Sequence, residues 1–236
     1  MGQVSRTSAR VRPLVATIFL VLFSGLASAA DTQSTAAPFA VASVHFEQNA
    51  TDGDWEVVFK VNGGDDGLTE LTIVSPDGRT VVHFKTPDTS TSGIRSFHLE
   101  TPEPTDLEML KADYAEGTYE FTGKTSSSAK LFGKSILSHQ LPPTTTFTHP
   151  APEAENVSSK GLEITWSAVG ATASFVVEIE QEESSMKIKA QLPGSSTSFS
   201  VPDDFLLTGT EYKLGITTLS ADGNRSTVET TFATQK

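Results

Sequence analysis

The chain contains no cysteine in 236 residues. That excludes disulfides, thiolate nucleophiles, zinc–thiolate centres and thiol redox chemistry. Packing alone must then stabilise the fold. Basic residues are scarce as well: 17 Lys and Arg stand against 29 Asp and Glu, a formal net charge of −12. An acidic surface repels nucleic acid and anionic lipid heads, so neither is expected as a partner. Catalytic signatures are missing: there is no Gly-x-Ser-x-Gly elbow and no Gly-rich phosphate loop ending in Lys-Ser or Lys-Thr. Long apolar runs are limited to one, Leu14 to Phe23. Ten residues are too few to cross about 30 Å of hydrocarbon.

What is present begins with that run. Arg6, Arg10 and Arg12 precede it, and Ala27-Ser28-Ala29 follows with small residues before Ala30. A basic start, a short apolar core and a small-residue cleavage site predict a secretory signal peptide over residues 1–29. The expected destination is the periplasm or the exterior, with no membrane insertion after signal removal. No cysteine follows the apolar core, so no lipid attachment of the lipoprotein kind is expected. Removing residues 1–29 takes away three arginines and no acid, which moves the net charge from −12 to −15. The acid excess reads as a solvated surface.

Residues 30–38 are small and polar and predict a tether with nothing to bury. From Phe39 onward the hydrophobic period is two. Trp55, Val57, Phe59 and Val61 alternate, followed by Leu71 and Ile73, Val82 and Phe84, then Phe97 and Leu99. Gly, Asp, Asn and Pro punctuate these runs, as they do between antiparallel strands. One segment breaks the pattern. Thr105-Asp106-Leu107-Glu108 has the spacing of a capping box with Thr105 as the cap, predicting a short helix over 106–113. Residues 39–141 are thus expected to form a first, immunoglobulin-like sandwich. Residues 142–152, rich in proline, should be a semi-rigid spacer. Residues 153–236 should form a second sandwich, with the Pro-rich segment running into its first edge strand near Phe147.

In that second half, Leu162-Glu163-Ile164-Thr165-Trp166 places a tryptophan on an early strand. About forty residues later comes Leu206-Leu207-Thr208-Gly209-Thr210-Glu211-Tyr212. These residues make the region resemble a fibronectin type III module. The resemblance implies that Trp166 is the core tryptophan. It implies that Leu206 and Tyr212 form a tyrosine corner, with the hydroxyl tied to nearby backbone. The family commonly has proline where this chain has Thr208. Gly117-Thr118-Tyr119 echoes the same corner in the first half. The fold class is therefore expected to be all-β, two tandem antiparallel β-sandwiches.

Several constellations could carry chemistry. His45, His83 and His98 each precede a residue that faces the core, so all three should point outward, and they would form a metal site only if their strands converge. The competing reading is three solvated imidazoles. Asp52-Gly53-Asp54 and Asp65-Asp66-Gly67 have calcium-loop composition but lack the ligand order such loops need, and read as turns. Glu178, Glu180 and Glu182 on one strand face Lys187 and Lys189 on the next, as ordinary cross-strand pairs. Asp222-Gly223-Asn224-Arg225 reads as the last hairpin loop, the place where the resembled family sometimes carries an adhesive tripeptide that is absent here. Asn49, Asn156 and Asn224 each open an Asn-x-Ser/Thr triplet. Both tryptophans fall in the buried phase and only Tyr114 is spare, which disfavours a sugar-binding face.

No catalytic residue, metal or cofactor is expected. The function expected is that of an exported, non-catalytic protein that binds an unknown protein partner or spaces other components. The alternative is a small metal-dependent or hydrolytic enzyme sited on the first half.

Overall fold

The computed structural model describes residues 1–2, 36–86, 92–104, 106–170 and 172–236. The expected signal peptide and most of the tether therefore lie outside the described residues, as does Thr105. Ser34–Lys236 form one compact unit.

Among the described residues the first half contains eight strands and one helix. They are β1 (Ala37–Pro38), β2 (Val41–Asn49), β3 (Asp54–Asn62), β4 (Leu68–Val74), β5 (Thr80–Lys85), β6 (Ser96–Glu100), α1 (Leu107–Asp113), β7 (Gly117–Thr125) and β8 (Lys130–Leu137). The second half contains β9 (Phe147–His149), β10 (Ala154–Val157), β11 (Glu163–Trp166), β12 (Ser174–Gln181), β13 (Met186–Pro193), β14 (Ser198–Ser200), β15 (Glu211–Leu219) and β16 (Arg225–Thr234). The expectation of an all-β chain holds.

Alternation decides which faces are buried, because successive side chains of a strand point to opposite sides. On β12, Phe175, Val177 and Ile179 are fully buried, and so are Leu214 and Ile216 on β15. These side chains meet Ile164 and Trp166 of β11 and Phe232 of β16 in one core. The Trp166 and Phe175 rings lie 5.4 Å apart. A separate core gathers Val44, Phe46, Val57, Phe59, Leu71, Ile73, Tyr119 and Phe121. Trp55 packs against it half-buried.

Three sheets enclose these cores. One is five-stranded, in the order β1-β8-β7-β4-β5. A second, β14-β11-β9, has three strands. The third runs β13-β12-β15-β16-β2-β3-β6, with β10 also paired to β16. This long sheet backs both cores. Its β13-β12-β15-β16 half covers the second core, and its β2-β3-β6 half covers the first. Most pairs are antiparallel, but β1–β8, β10–β16 and β16–β2 are parallel.

Two local expectations are corrected. Ala37 and Pro38 do not belong to a free tether, since they pair with Leu131 and Phe132. Glycine makes the next step possible. A Cβ on Gly123 would stand 2.8 Å from Phe39, and one on Gly133 would stand 2.8 Å from the Ala42 Cβ. The chain can thus lay Phe39 and Ala42 against the five-stranded sheet as it crosses to the long one. The helix cap is Asp106, whose carboxylate accepts from the backbone N–H groups of Glu108 and Met109.

Candidate functional site

The halves join through paired strands, with a hairpin loop and the Pro-rich segment packed against them by polar contacts. β16 runs parallel to β2, with Arg225 beside Glu47, Ser226 beside Gln48 and Thr227 beside Asn49. The Ala50 N–H donates to the Thr227 carbonyl at 2.8 Å, and the Glu229 N–H donates to the Thr51 hydroxyl at 2.7 Å. Asn49 Nδ2 reaches Glu229 at 2.7 Å.

Asn224 closes the seam. It is 1% exposed. Its Oδ1 accepts from the Phe46 N–H at 2.8 Å, and its Nδ2 donates to the carbonyls of Ser138 and Gln140 at 2.8 and 3.0 Å. One side chain thus satisfies three backbone groups from two separate segments of the first half. An isolated buried backbone group of this kind is costly, so the match is stabilising. The expected last hairpin loop is accordingly no free ligand loop: it is docked. The Asn224 triplet is likewise closed to modification, because its amide is committed and buried.

The Pro-rich segment is corrected in the same way. The Ser226 hydroxyl donates to the Pro142 carbonyl at 2.6 Å, and the Thr218 hydroxyl donates to that of Pro143 at 2.7 Å. Thr145 is buried and its hydroxyl donates to the Ser167 carbonyl at 2.7 Å. Proline leaves a carbonyl but no N–H, and here strand hydroxyls take up those carbonyls. The segment expected to be a semi-rigid spacer is tied to the second half by these bonds.

The three histidines do not meet. His83 is exposed on β5 of the five-stranded sheet, 3.2 Å from the Thr72 hydroxyl. His98 is exposed on β6, beside Glu100 at 3.1 Å. His45 was expected to point to solvent, yet it is 4% exposed. The outer face of β2 is covered at the seam: a Cβ built on Gly223 would lie 3.9 Å from the His45 Cβ. His45 Nε2 lies 2.7 Å from Glu47 Oε2, and Arg225 Nε lies 3.8 Å from the same oxygen. Burial pushes the His45 imidazole below its ordinary value, with the charges of Arg225 and Lys60 acting the same way and Glu47 opposing them. Burial would raise Glu47, but the His45 hydrogen bond and nearby positive charge hold it below the usual carboxylate value. No cluster of three or more His, Asp or Glu fit to hold a metal occurs among the described residues.

The Asp-rich loops are turns. Gly53 N–H donates to the Asn49 carbonyl at 2.9 Å, and Asp66 accepts from the Ser127 hydroxyl at 2.6 Å. On the neighbouring β3, Glu56 is pushed up to about 7, by desolvation first and then by Glu100, Asp54, Glu47 and Glu103. The Glu–Lys ladder is as expected: Glu178 opposes Lys189 and Glu180 opposes Lys187, with Lys187 also reaching Glu178 at 2.8 Å. Glu182 falls in the hairpin loop and stands outside the ladder.

The two tyrosines that follow a Gly-Thr step are both buried and hydrogen-bonded to backbone. Tyr212 is buried and its hydroxyl accepts from the Leu207 N–H at 2.8 Å. Leu206 is buried in the same core. Tyr119 is fully buried and donates to the Ala115 carbonyl at 3.2 Å, and burial raises its phenol to about 12. Tyr114, expected to be spare, is half-buried and packs on Phe59, with ring centroids 6.1 Å apart.

The open surface beside the seam is shallow. A depression of about 250 Å³ lies over Gly215, walled by Glu178, Glu229, Lys213, Lys189 and Arg225. Its walls are charged and paired with one another, unlike the apolar enclosure that holds most small ligands. Sequence reasoning missed the seam entirely, since Asn224 carries no local signal that distinguishes a docked loop from a free one.

No protein-family model matches the chain, and no curated protein matches it. Among solved structures it is similar to a two-domain fibronectin type III segment of chicken tenascin at 15% identity and TM-score 0.33, covering 83% of this chain and 99% of that one. It is also similar to the fibronectin(III)-like modules of Clostridium thermocellum CbhA, at 12% identity and TM-score 0.33, covering 86% and 92%. A third is the FN1-FN3 segment of chicken CNTN1, at 13% identity and TM-score 0.32, covering 85% and 69%.

Proposed function

We propose that this chain is an exported, non-catalytic module that holds two sandwich surfaces at one fixed relative geometry, for a protein partner or as a rigid spacer at the cell envelope or outside it. One observation carries the reading. The long sheet is unbroken across both cores, and its central pair β16–β2 is locked by Asn224 and by the bonded Pro142–Pro143 carbonyls. A joint of that kind spends buried polar contacts on orientation, which a catalytic pocket does not need and a presenting or spacing device does. The export part of the proposal rests on the basic, apolar and small-residue pattern of residues 1–29.

The test uses the absence of native cysteine. Paired cysteines introduced at Lys130 and Glu183, both exposed, place one label on each half. A single narrow label–label distance distribution at neutral pH is expected, and a broad one would refute the rigid joint. Partner capture from envelope and culture extracts then asks what the fixed geometry presents; recovery of no specific protein would favour spacing over binding. The metal-dependent form of the enzymatic alternative needs His45, His83 and His98 to converge, and they do not. Elemental analysis of the mature protein should find no stoichiometric metal, and chelation should leave its melting temperature unchanged. A bound metal with a fall in Tm would reverse that conclusion.

A further inference from the structure

The seam holds a buried imidazole in a closed space, and nothing in the spacing role requires it. His45 is 4% exposed, sits on β2 directly at the parallel pair, and has one carboxylate, Glu47, within hydrogen-bond reach. That carboxylate is not His45's alone. Arg225 of β16 approaches it from across the seam at 3.8 Å, and Arg225 Nε makes no hydrogen bond among the described residues. β3 supplies Lys60 on the same face, and also Glu56. The loop carrying Asn224 supplies Asp222, whose carboxylate is taken by the Ser220 hydroxyl. The segment beneath supplies His139, whose ring lies 5.3 Å from that of Phe46. The backbone N–H of Phe46, next in sequence to His45, is the one that Asn224 receives.

We propose that the joint between the two halves is acid-sensitive, with His45 as its proton-responsive element: protonation loosens β2 from β16 while leaving each core intact. The physical reason lies in the composition of the site. With neutral His45, Nε2–H donates to Glu47 and the carboxylate also faces Arg225. Protonation adds a third positive charge, beside Arg225 and Lys60, to one shared carboxylate, and buries it away from water. Like charges in a poorly solvated space repel strongly. The cheapest relief is to open the seam, since both cores lie on the opposite face of the sheet. The direction of the His45 pKa agrees. Because the folded value lies below the unfolded 6.5, this contribution to stability is complete above pH 6.5. It is lost as pH falls from 6.5 through the folded value.

The inference rests on the rigid joint proposed above, and the same label pair tests both. At pH 7.5 the distance distribution should be narrow; at pH 5 it should broaden in the native sequence and stay narrow in His45→Gln, which keeps a donor for Glu47 but does not titrate. A distribution already broad at pH 7.5 would sink the rigid joint itself. One narrow at both pH values would sink only the acid response, as would equal broadening in His45→Gln. NMR titration of the imidazoles of the native sequence supplies a second arm, independent of whether the variant folds. The broadening should track the His45 resonance, with a midpoint below 6.5. Tracking His139 instead, or a His45 midpoint above 6.5, would overturn the assignment. The melting temperature of the native sequence should also fall by at least about 2 °C more than that of His45→Gln between pH 7.5 and pH 5.

Discussion

At the scale of single residues, Asn224 and Glu56 show how much depends on what lies opposite a side chain. Asn224→Ala leaves the Phe46 N–H and two carbonyls without their partner. Buried groups stranded in this way should cost about 2–4 kcal/mol in urea unfolding. Asn224→Asp keeps the acceptor for Phe46 but turns a negative charge toward the Ser138 and Gln140 carbonyls, so it should be no better than alanine at neutral pH. A loss under about 0.5 kcal/mol for either variant, the level of an ordinary surface substitution, would show that the seam is not closed by this residue. Glu56 works in the opposite sense from His45. Its folded value near 7 exceeds the ordinary 4.5, so the folded state takes up a proton first and gains stability as pH falls from about 7 toward 4.5. Glu56→Gln should therefore raise the melting temperature at pH 8, and the gain should shrink by pH 5. An equal gain at both pH values would mean that desolvation of the charge is not the cause.

At the scale of elements, the glycines of the five-stranded sheet deserve a direct test. β8 and β7 carry Gly133 and Gly123 where the chain crosses from β1 to β2. Gly133→Val would drive branched carbons into Ala42 and toward Phe39. Overpacking of this kind should cost about 1–3 kcal/mol, and trimming Ala42 to Gly in the same chain should recover part of it. No recovery would place the strain elsewhere. The charged ladder of β12 and β13 is a different kind of element feature. Its Glu–Lys pairs are partly solvated, where such pairs are worth little, so they keep the strand edge soluble more than they stabilise it.

At the scale of the whole molecule, the shared sheet couples two cores that the sequence presents as separate. Tandem modules joined by a loose linker unfold independently. Here the β16–β2 pair and the bonded Pro-rich segment should give a single cooperative thermal transition, seen at the same midpoint by far-ultraviolet dichroism and by aromatic fluorescence. Asn224→Ala should separate the two halves into distinct transitions before it unfolds either. Two well-resolved transitions in the native sequence would contradict the coupling.

The β character and the two sets of inward-facing residues are legible in the sequence alone. Period-two alternation is a local property that survives without knowledge of neighbours. The Glu–Lys ladder is legible too, because a short hairpin fixes its own register. That His45 is buried while His83 and His98 are not follows from long-range packing, since all three occupy the same strand phase. The difference arises from a loop 178 residues away in sequence that covers one of them. The same holds for Asn224 and for the carbonyls of Pro142 and Pro143. Alternation says which side of a strand faces its own core, but not whether another strand will close over the other side.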